Sequence, residues 1–323
     1  VDPRPNQLQF TGSAVDSLWS PTSDKLYVSW YTRGSKSAYL GEADARTGAM
    51  RVLARDTGKT YVEIGSPRDP VSWYVTRDGR ETIWWSERDG WSHLWLMGAD
   101  GKAAQITRGA WNVAAVQHVD EATRTIWFTA RGREPGRHPY YAHLYRVRFD
   151  GTGLELLTPE DADHQVSFAP GGRYFVDTRS RVETPPVTTL RTADGRVLRT
   201  LETADVTALA EVGWRAAQPF TVRARDGVTE LHGVLYLPPD LDPKRKYPII
   251  DHIYPGPQVG SVGAWSFKGS GEPFALAQLG FVVVQLDHMG TPLRSKAFHD
   301  AYYGNFGDNG LPDHMHALRQ LAT

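Results

Sequence analysis

The stretch Trp73-Tyr74-Val75-Thr76-Arg77-Asp78-Gly79-Arg80-Glu81-Thr82-Ile83-Trp84-Trp85 decides how most of this chain is read. Two runs of aromatic and β-branched residues, which suit a pleated, half-buried strand, flank an Asp-Gly pair. Asp-Gly accepts the positive φ that a tight hairpin turn demands. Three other segments share the pattern: Leu18 to Trp30, Val119 to Phe128, and Phe168 to Val176. A second turn follows each hairpin, at Ala43 to Gly48, Gly98 to Gly101, Phe149 to Gly153 and Ala193 to Gly195. Two hairpins in every fifty or so residues match a four-stranded β-propeller blade, and four such units in a row predict a partial propeller of about four blades. The alternative is a β-sandwich that happens to share the spacing.

Composition narrows the function classes. The 323 residues carry 36 Lys plus Arg against 37 Asp plus Glu, a formal charge of −1. That balance argues against a nucleic-acid partner or a polybasic membrane-surface protein, which need a strong positive field. The longest apolar runs, such as Phe281 to Val284, are far too short to span a bilayer. Cysteine is absent, which removes disulfides, thiolate metal sites and cysteine nucleophiles together. Eleven Trp, 14 Tyr, 31 Gly and 21 Pro favour aromatic strands joined by turns. The stretch Val1 to Asn6 has neither a basic nor an apolar signal region and no initiator Met, so it says nothing about export.

Beyond about residue 210 the pattern changes, which predicts domains at 1–212 and 213–323. Leu231 to Leu237 reads as a strand ended by Pro238-Pro239, and Tyr247 to Tyr254 as a strand stopped by Pro255-Gly256-Pro257. Phe274 to Leu279 has helical spacing, with Gly280 as its stop. The β-branched run Phe281 to Asp287 suits a strand buried on both faces of a parallel sheet. Asp313 to Ala322 begins another helix, with Asp313 as cap or first-turn acid. Strand, helix, strand, helix predicts an α/β domain, incomplete in about 110 residues.

These residues resemble the prolyl oligopeptidase family of serine peptidases, and within it the dipeptidyl peptidase IV branch. The resemblance is carried on the blades by Ser86 to Leu94, Ile106 to Trp111 and Val166 to Gly172. In the α/β part it is carried by Leu237-Pro238-Pro239, Lys246-Tyr247-Pro248, Tyr254 to Gln258 and Gly280 to Val284. It implies a propeller followed by an α/β-hydrolase domain. The implied activity is a serine exopeptidase releasing N-terminal dipeptides, Pro- or Ala-preferring, through an acyl-enzyme, with a peptide substrate and no cofactor or metal. An acylaminoacyl or oligopeptidase specificity, and a non-catalytic propeller scaffold, are the alternatives. The resemblance also leads one to expect a periplasmic or secreted protein, and it admits a homodimer of the full-length molecule.

The Gly-x-Ser-x-Gly elbow that carries the family's nucleophile does not occur here. Gly269-Ser270-Gly271 fails because Lys268 stands where the first Gly is needed. The chain is therefore expected to be an internal piece of a longer enzyme and inactive alone. What it retains is Tyr254, whose placement in the Tyr-x-Gly-Pro turn is similar to that of the oxyanion contact after the third strand of α/β-hydrolases. The resemblance implies that its phenol is a donor to the developing oxyanion.

The resemblance also implies an acidic pair that binds a substrate's amino terminus. Glu63, Asp69, Glu87 and Asp89 are the nearest acids, but each reads better as a solvated loop or turn residue, so none is assigned. His314 and His316 diverge on a helix and read as a solvent-facing pair rather than metal ligands. His252 lies two residues before Tyr254 and so on the same strand face, where a hydrogen-bonded strand histidine is expected. Asp287-His288-Met289-Gly290 ends a strand at the edge where α/β sites form, and reads equally as pocket lining or as a simple turn. Arg131 to His138 is expected to be a solvated loop. The Trp-rich strands are expected to pack blades rather than to hold carbohydrate.

Overall fold

Four antiparallel meanders and one mixed sheet, each of four strands, make up the computed structural model of the chain. It describes residues 7–9, 19–65, 73–254, 256–307 and 309–322. Residues 1–6, Leu18, Asp69 and Pro255, considered above, lie outside these. The first sheet comprises β1 (Gln7–Gln9), β2 (Lys25–Tyr31), β3 (Ser37–Asp44) and β4 (Met50–Thr57). The second comprises β5 (Trp73–Val75), β6 (Glu81–Ser86), β7 (His93–Gly98) and β8 (Ala103–Gln105). The third comprises β9 (Asn112–Asp120), β10 (Thr125–Arg131), β11 (Ala142–Arg148) and β12 (Glu155–Leu156). The fourth comprises β13 (Asp163–Phe168), β14 (Tyr174–Arg181), β15 (Thr184–Thr192) and β16 (Val197–Thr203). In each, strands pair in chain order, the meander of a propeller blade.

The turns behave as their residues require. In the Asp78-Gly79 turn, Asp78 Oδ1 accepts from the Thr76 hydroxyl at 2.7 Å and the Arg80 amide at 3.0 Å. Gly195, at φ +88°, has no room for a side chain, since a Cβ there would lie 2.6 Å from the Leu157 carbonyl oxygen.

Tryptophan joins the blades. Trp84 donates its indole N–H to Asp56 at 2.9 Å, Trp85 to the Val113 carbonyl at 2.9 Å and Trp127 to the Ala193 carbonyl at 2.8 Å. Each bond crosses from one sheet to its neighbour, so the rings bury their area between blades while their N–H groups stay satisfied. Arg88–Asp56 at 2.6 Å and Arg124–Glu81 at 2.7 Å cross the same seams.

The fifth sheet comprises β17 (Gln218–Arg223), β18 (Glu230–Tyr236), β19 (Ile249–Asp251) and β20 (Val282–Asp287), in the order β17-β18-β20-β19. The helices are α1 (Thr207–Glu211), α2 (Glu272–Gln278), α3 (Lys296–Asp300) and α4 (Gly310–Leu321). The sheet is mixed rather than parallel as expected. β18 runs antiparallel to both β17 and β20, and only β19 lies parallel to β20. The short turn after β17 can join only antiparallel neighbours, whereas the long crossover through α2 permits a parallel pair. β20 is central, with Val283, Val284 and Leu286 fully buried. An apolar cluster of Tyr140, Val182, Val234, Tyr236, Trp265 and Val283 fuses this sheet to the third and fourth blades.

Candidate functional site

The expected strand Tyr247 to Tyr254 is shorter than its sequence suggests. β19 is an edge strand that ends at Asp251, where the Ile253 amide turns back to the Asp251 carbonyl at 3.1 Å. The His252 amide still bonds the Val284 carbonyl of β20 at 2.8 Å, but Tyr254 lies beyond this bend, so the period-two argument for a shared face does not reach it. Tyr254 sits in a turn at the carboxyl end of β19 with its side chain 56% exposed, so its phenol is not part of a core.

That turn is held by polar groups of the central strand. Gln285 is buried in β20 and accepts from the Tyr236 hydroxyl at 2.9 Å. It donates to the Ser261 carbonyl at 3.0 Å and lies 3.1 Å from His252 Nδ1. Ser261 in turn accepts from the Tyr254 amide at 3.1 Å. Asp287, at the end of β20, accepts from the Val262 amide at 3.0 Å. Gly260 passes so close that a Cβ there would lie 2.3 Å from Asp287 Oδ1. Burial pushes the Tyr236 phenol up to about 12, so it stays protonated and donates.

The reading of the His314 and His316 pair changes. His314 is buried, not solvent-facing, and its Nδ1 lies 2.8 Å from Asp251, because α4 packs against the sheet. His316 is only partly exposed. Asp287 and His288 are buried within hydrogen-bonded structure rather than lining a pocket mouth. Asp313 is the first-turn acid of α4, as expected, and it also accepts from the amides of Arg225 at 3.0 Å and Met289 at 3.1 Å, so it ties α4 to two loops.

The Arg131 to His138 segment is an inter-strand loop with Gly132, Pro135 and Gly136 exposed, as expected, but its end leaves solvent. His138 packs against Trp265 at a ring separation of 4.1 Å and against His232 at 4.8 Å. Burial drives His138 down to about 3 and His232 to about 4, so both are neutral near pH 7. This segment forms part of the seam between the propeller and the α/β part.

Glu63 and Glu87 are likewise not solvated. They line a crevice in the seam with Asn112, Arg131, Arg294 and His299. Burial, with Glu87 opposite, pushes Glu63 up to about 8, and burial pushes Glu87 up to about 7. Asp89, by contrast, is exposed. A larger cleft of about 320 Å³ lies beside the crevice, between Gln117, Asp163 and Gln165 of the blades and Gly263 to Trp265 of the α/β part. Its size falls within the range of ligand pockets.

Glu160, His164 and Asp177 bring ligand atoms within 4.8 Å of one another. A cation already stands there: Arg191 bonds Glu160 at 2.7 Å and Asp177 at 3.0 Å. The group is an ion-pair network within the fourth blade.

Gln285 and Ser261 escaped sequence reasoning, whereas Glu63 and Glu87 are candidates there but read as solvated. Gln285 alone left a signal, as a polar residue set between Val284 and Leu286 in an apolar run.

Comparison with known proteins agrees with this architecture. Residues 14–186 match the family model described as dipeptidyl peptidase IV N-terminal region, and residues 265–323 match that of the prolyl oligopeptidase family. The "Probable dipeptidyl-aminopeptidase B" of Emericella nidulans is 31% identical over 225 residues, covering 68% of this chain and 23% of that protein. Dipeptidyl peptidase 8 of Homo sapiens is 31% identical over 234 residues, covering 68% and 25%. The structure of Porphyromonas gingivalis dipeptidyl peptidase 4 superposes with a TM-score of 0.76 at 24% identity, covering 93% of this chain and 42% of that one. A solved chain from Bacteroides ovatus gives 0.78 at 24% identity, covering 94% and 45%. The chain thus spans about a quarter of the length of the curated relatives it matches.

Proposed function

The chain belongs to the prolyl oligopeptidase family of serine peptidases, in its dipeptidyl peptidase IV-like branch, and from that premise we propose that the full-length protein releases dipeptides from peptide N-termini. The nucleophile is assigned to none of these 323 residues, since no Gly-x-Ser-x-Gly occurs among them. Their part in the reaction is to bind the peptide and to stabilise charge. Attack on the scissile carbonyl places negative charge on its oxygen, and the acyl-enzyme forms as the carbonyl re-forms and the amine leaves. In this reading Tyr254 donates its phenolic O–H to that oxygen.

The supporting observation is the turn itself. Tyr254 is exposed, yet its backbone is tied through Ser261 to Gln285 of the central strand. A few residues further on, Gly263 to Trp265 line the 320 Å³ cleft. An accessible donor on a fixed backbone suits preorganised oxyanion stabilisation, and the loop that follows it lines a ligand-sized cleft. The peptide enters along that cleft, where the side-chain amides of Gln117 and Gln165 face its main chain and Trp265 its apolar groups.

The test is Tyr254→Phe in the full-length protein, assayed on a Gly-Pro anilide. Loss of one oxyanion donor costs about 10²- to 10³-fold in kcat, with KM and melting temperature little changed because the ring is exposed. Near-normal turnover overturns the role of Tyr254. Absence of dipeptide release by the wild-type enzyme overturns the proposed activity.

A further inference from the structure

A strap of the α/β part, residues 291–300, lies along the first three blades. Asn112 donates to the carbonyls of Leu293 at 3.1 Å and Arg294 at 2.9 Å. The Lys296 amide donates to the Gly90 carbonyl at 2.9 Å, and its ammonium to the Tyr61 carbonyl at 2.7 Å. Thr60 donates to Asp300 at 2.8 Å. At the far side of the strap His299 Nε2 lies 2.8 Å from the Pro257 carbonyl, in the turn that carries Tyr254. Burial holds His299 below its ordinary value, and since a carbonyl only accepts, Nε2 is the donor in this bond.

Glu63 and Glu87 line the crevice beneath this strap. Glu87 Oε2 is buried with no hydrogen-bond partner among the described residues. Lys296 is the cation that acts on both, and it already bonds Asp300 at 3.1 Å. Asp56 also faces Glu87 but is held by Arg88. Tyr61 and Tyr31 face Glu63, and Arg131, Arg294 and His299 line the crevice. Among the described residues, the Lys296 ammonium, already bonded to Asp300, leaves both Glu63 and Glu87 above their ordinary value. An unpaired carboxylate in this setting is costly, and the neutral acid is not.

We propose that the Glu63–Glu87 pair is a proton-operated latch: protonated, it lets the strap close on the propeller, and ionised, it loosens the strap and with it the support that His299 gives the Tyr254 turn. The pair binds its protons in the closed state with pKa values of about 8 and about 7, against an ordinary value of 4.5. For acids raised in this way, closure is fully favoured below about pH 4.5 and is lost as pH climbs towards 8. The consequence for catalysis rests on the role proposed for Tyr254; the latch itself does not.

Hydrogen exchange on the full-length protein tests it without any activity measurement. The Lys296 amide, which bonds Gly90, reports the strap, and the Val147 amide in β11 reports the blade core. After correction for intrinsic rate, Lys296 protection is expected to fall at least tenfold between pH 5 and 8 while that of Val147 holds, since one released proton supplies up to about tenfold per pH unit. In E63Q/E87Q the Lys296 protection should become flat. If the double variant does not fold, E87Q alone should reduce the slope. A flat wild-type profile, an unchanged slope in the variants, or a parallel loss at Val147 overturns the latch.

Discussion

The side-chain amide of Gln285 stands 3.0 Å from the carbonyl oxygen of Ser261, so a polar residue in a buried central strand grips the loop beyond its end. The same side chain accepts from Tyr236 and meets His252. Its donors and acceptor are all used, which explains why an amide is tolerated where Val and Leu surround it.

Replacing that amide by a thioether of similar length removes three contacts at once. Gln285→Met is expected to lower unfolding free energy by about 1–3 kcal/mol, because the Tyr236 hydroxyl and the Ser261 carbonyl are left buried and unpaired. In the full-length enzyme turnover should fall as well, through displacement of Tyr254. Denaturant unfolding and steady-state kinetics check both, and a neutral effect on each would sink the positioning role.

The histidine seam makes a prediction of opposite pH sign to the latch. His138 and His232 are depressed to about 3 and about 4 from 6.5. Their contribution is fully present above pH 6.5 and is lost as pH falls towards 4, because the unfolded chain binds those protons first. Melting temperature should drop between pH 6.5 and 4, by an amount on the order of a few kcal/mol in stability. His138→Phe, which keeps a ring against Trp265, should shrink that drop. An undiminished drop would show that the acid limb lies elsewhere.

Two glycines separate backbone strain from collision. Gly34, at φ +82°, has nothing within 4 Å of the position a methyl group would take, whereas at Gly195 a Cβ would meet Leu157. Gly34→Ala should cost about 1 kcal/mol, the strain of a left-handed alanine. Gly195→Ala should cost clearly more, since the Leu157 backbone must shift as well. Equal losses in thermal melts would contradict the collision.

Much of this architecture was legible in short-range pattern. Asp78-Gly79, Asp100-Gly101 and Asp150-Gly151 mark turns because the chemistry of a tight turn is local. The runs around Trp84 and Trp127 mark strands because alternation is local too. Val282 to Asp287 was legible as a buried strand for the same reason. The direction of its neighbours was not, because pairing depends on how long the connections are and where they return. The expected role of Tyr254 came from its Tyr-x-Gly-Pro turn and the family likeness, while the groups that hold the turn lie on other strands and loops.

The acids show the division most plainly. Glu63 and Glu87 stand in polar stretches that read as exposed turns, and Asp89, two residues beyond Glu87, is exposed as expected. A charged side chain's environment is set by what docks on it from elsewhere in the chain, and here that is the strap from Thr291 to Asp300. By itself the sequence determined the blades, their turns, the buried central strand and the family, because each is written in residues close together. Only the tertiary structure decided which carboxylates are desolvated, which histidines stay neutral and what supports Tyr254. Desolvation and hydrogen bonding at a seam are properties of two surfaces brought together, and neither surface carries them alone.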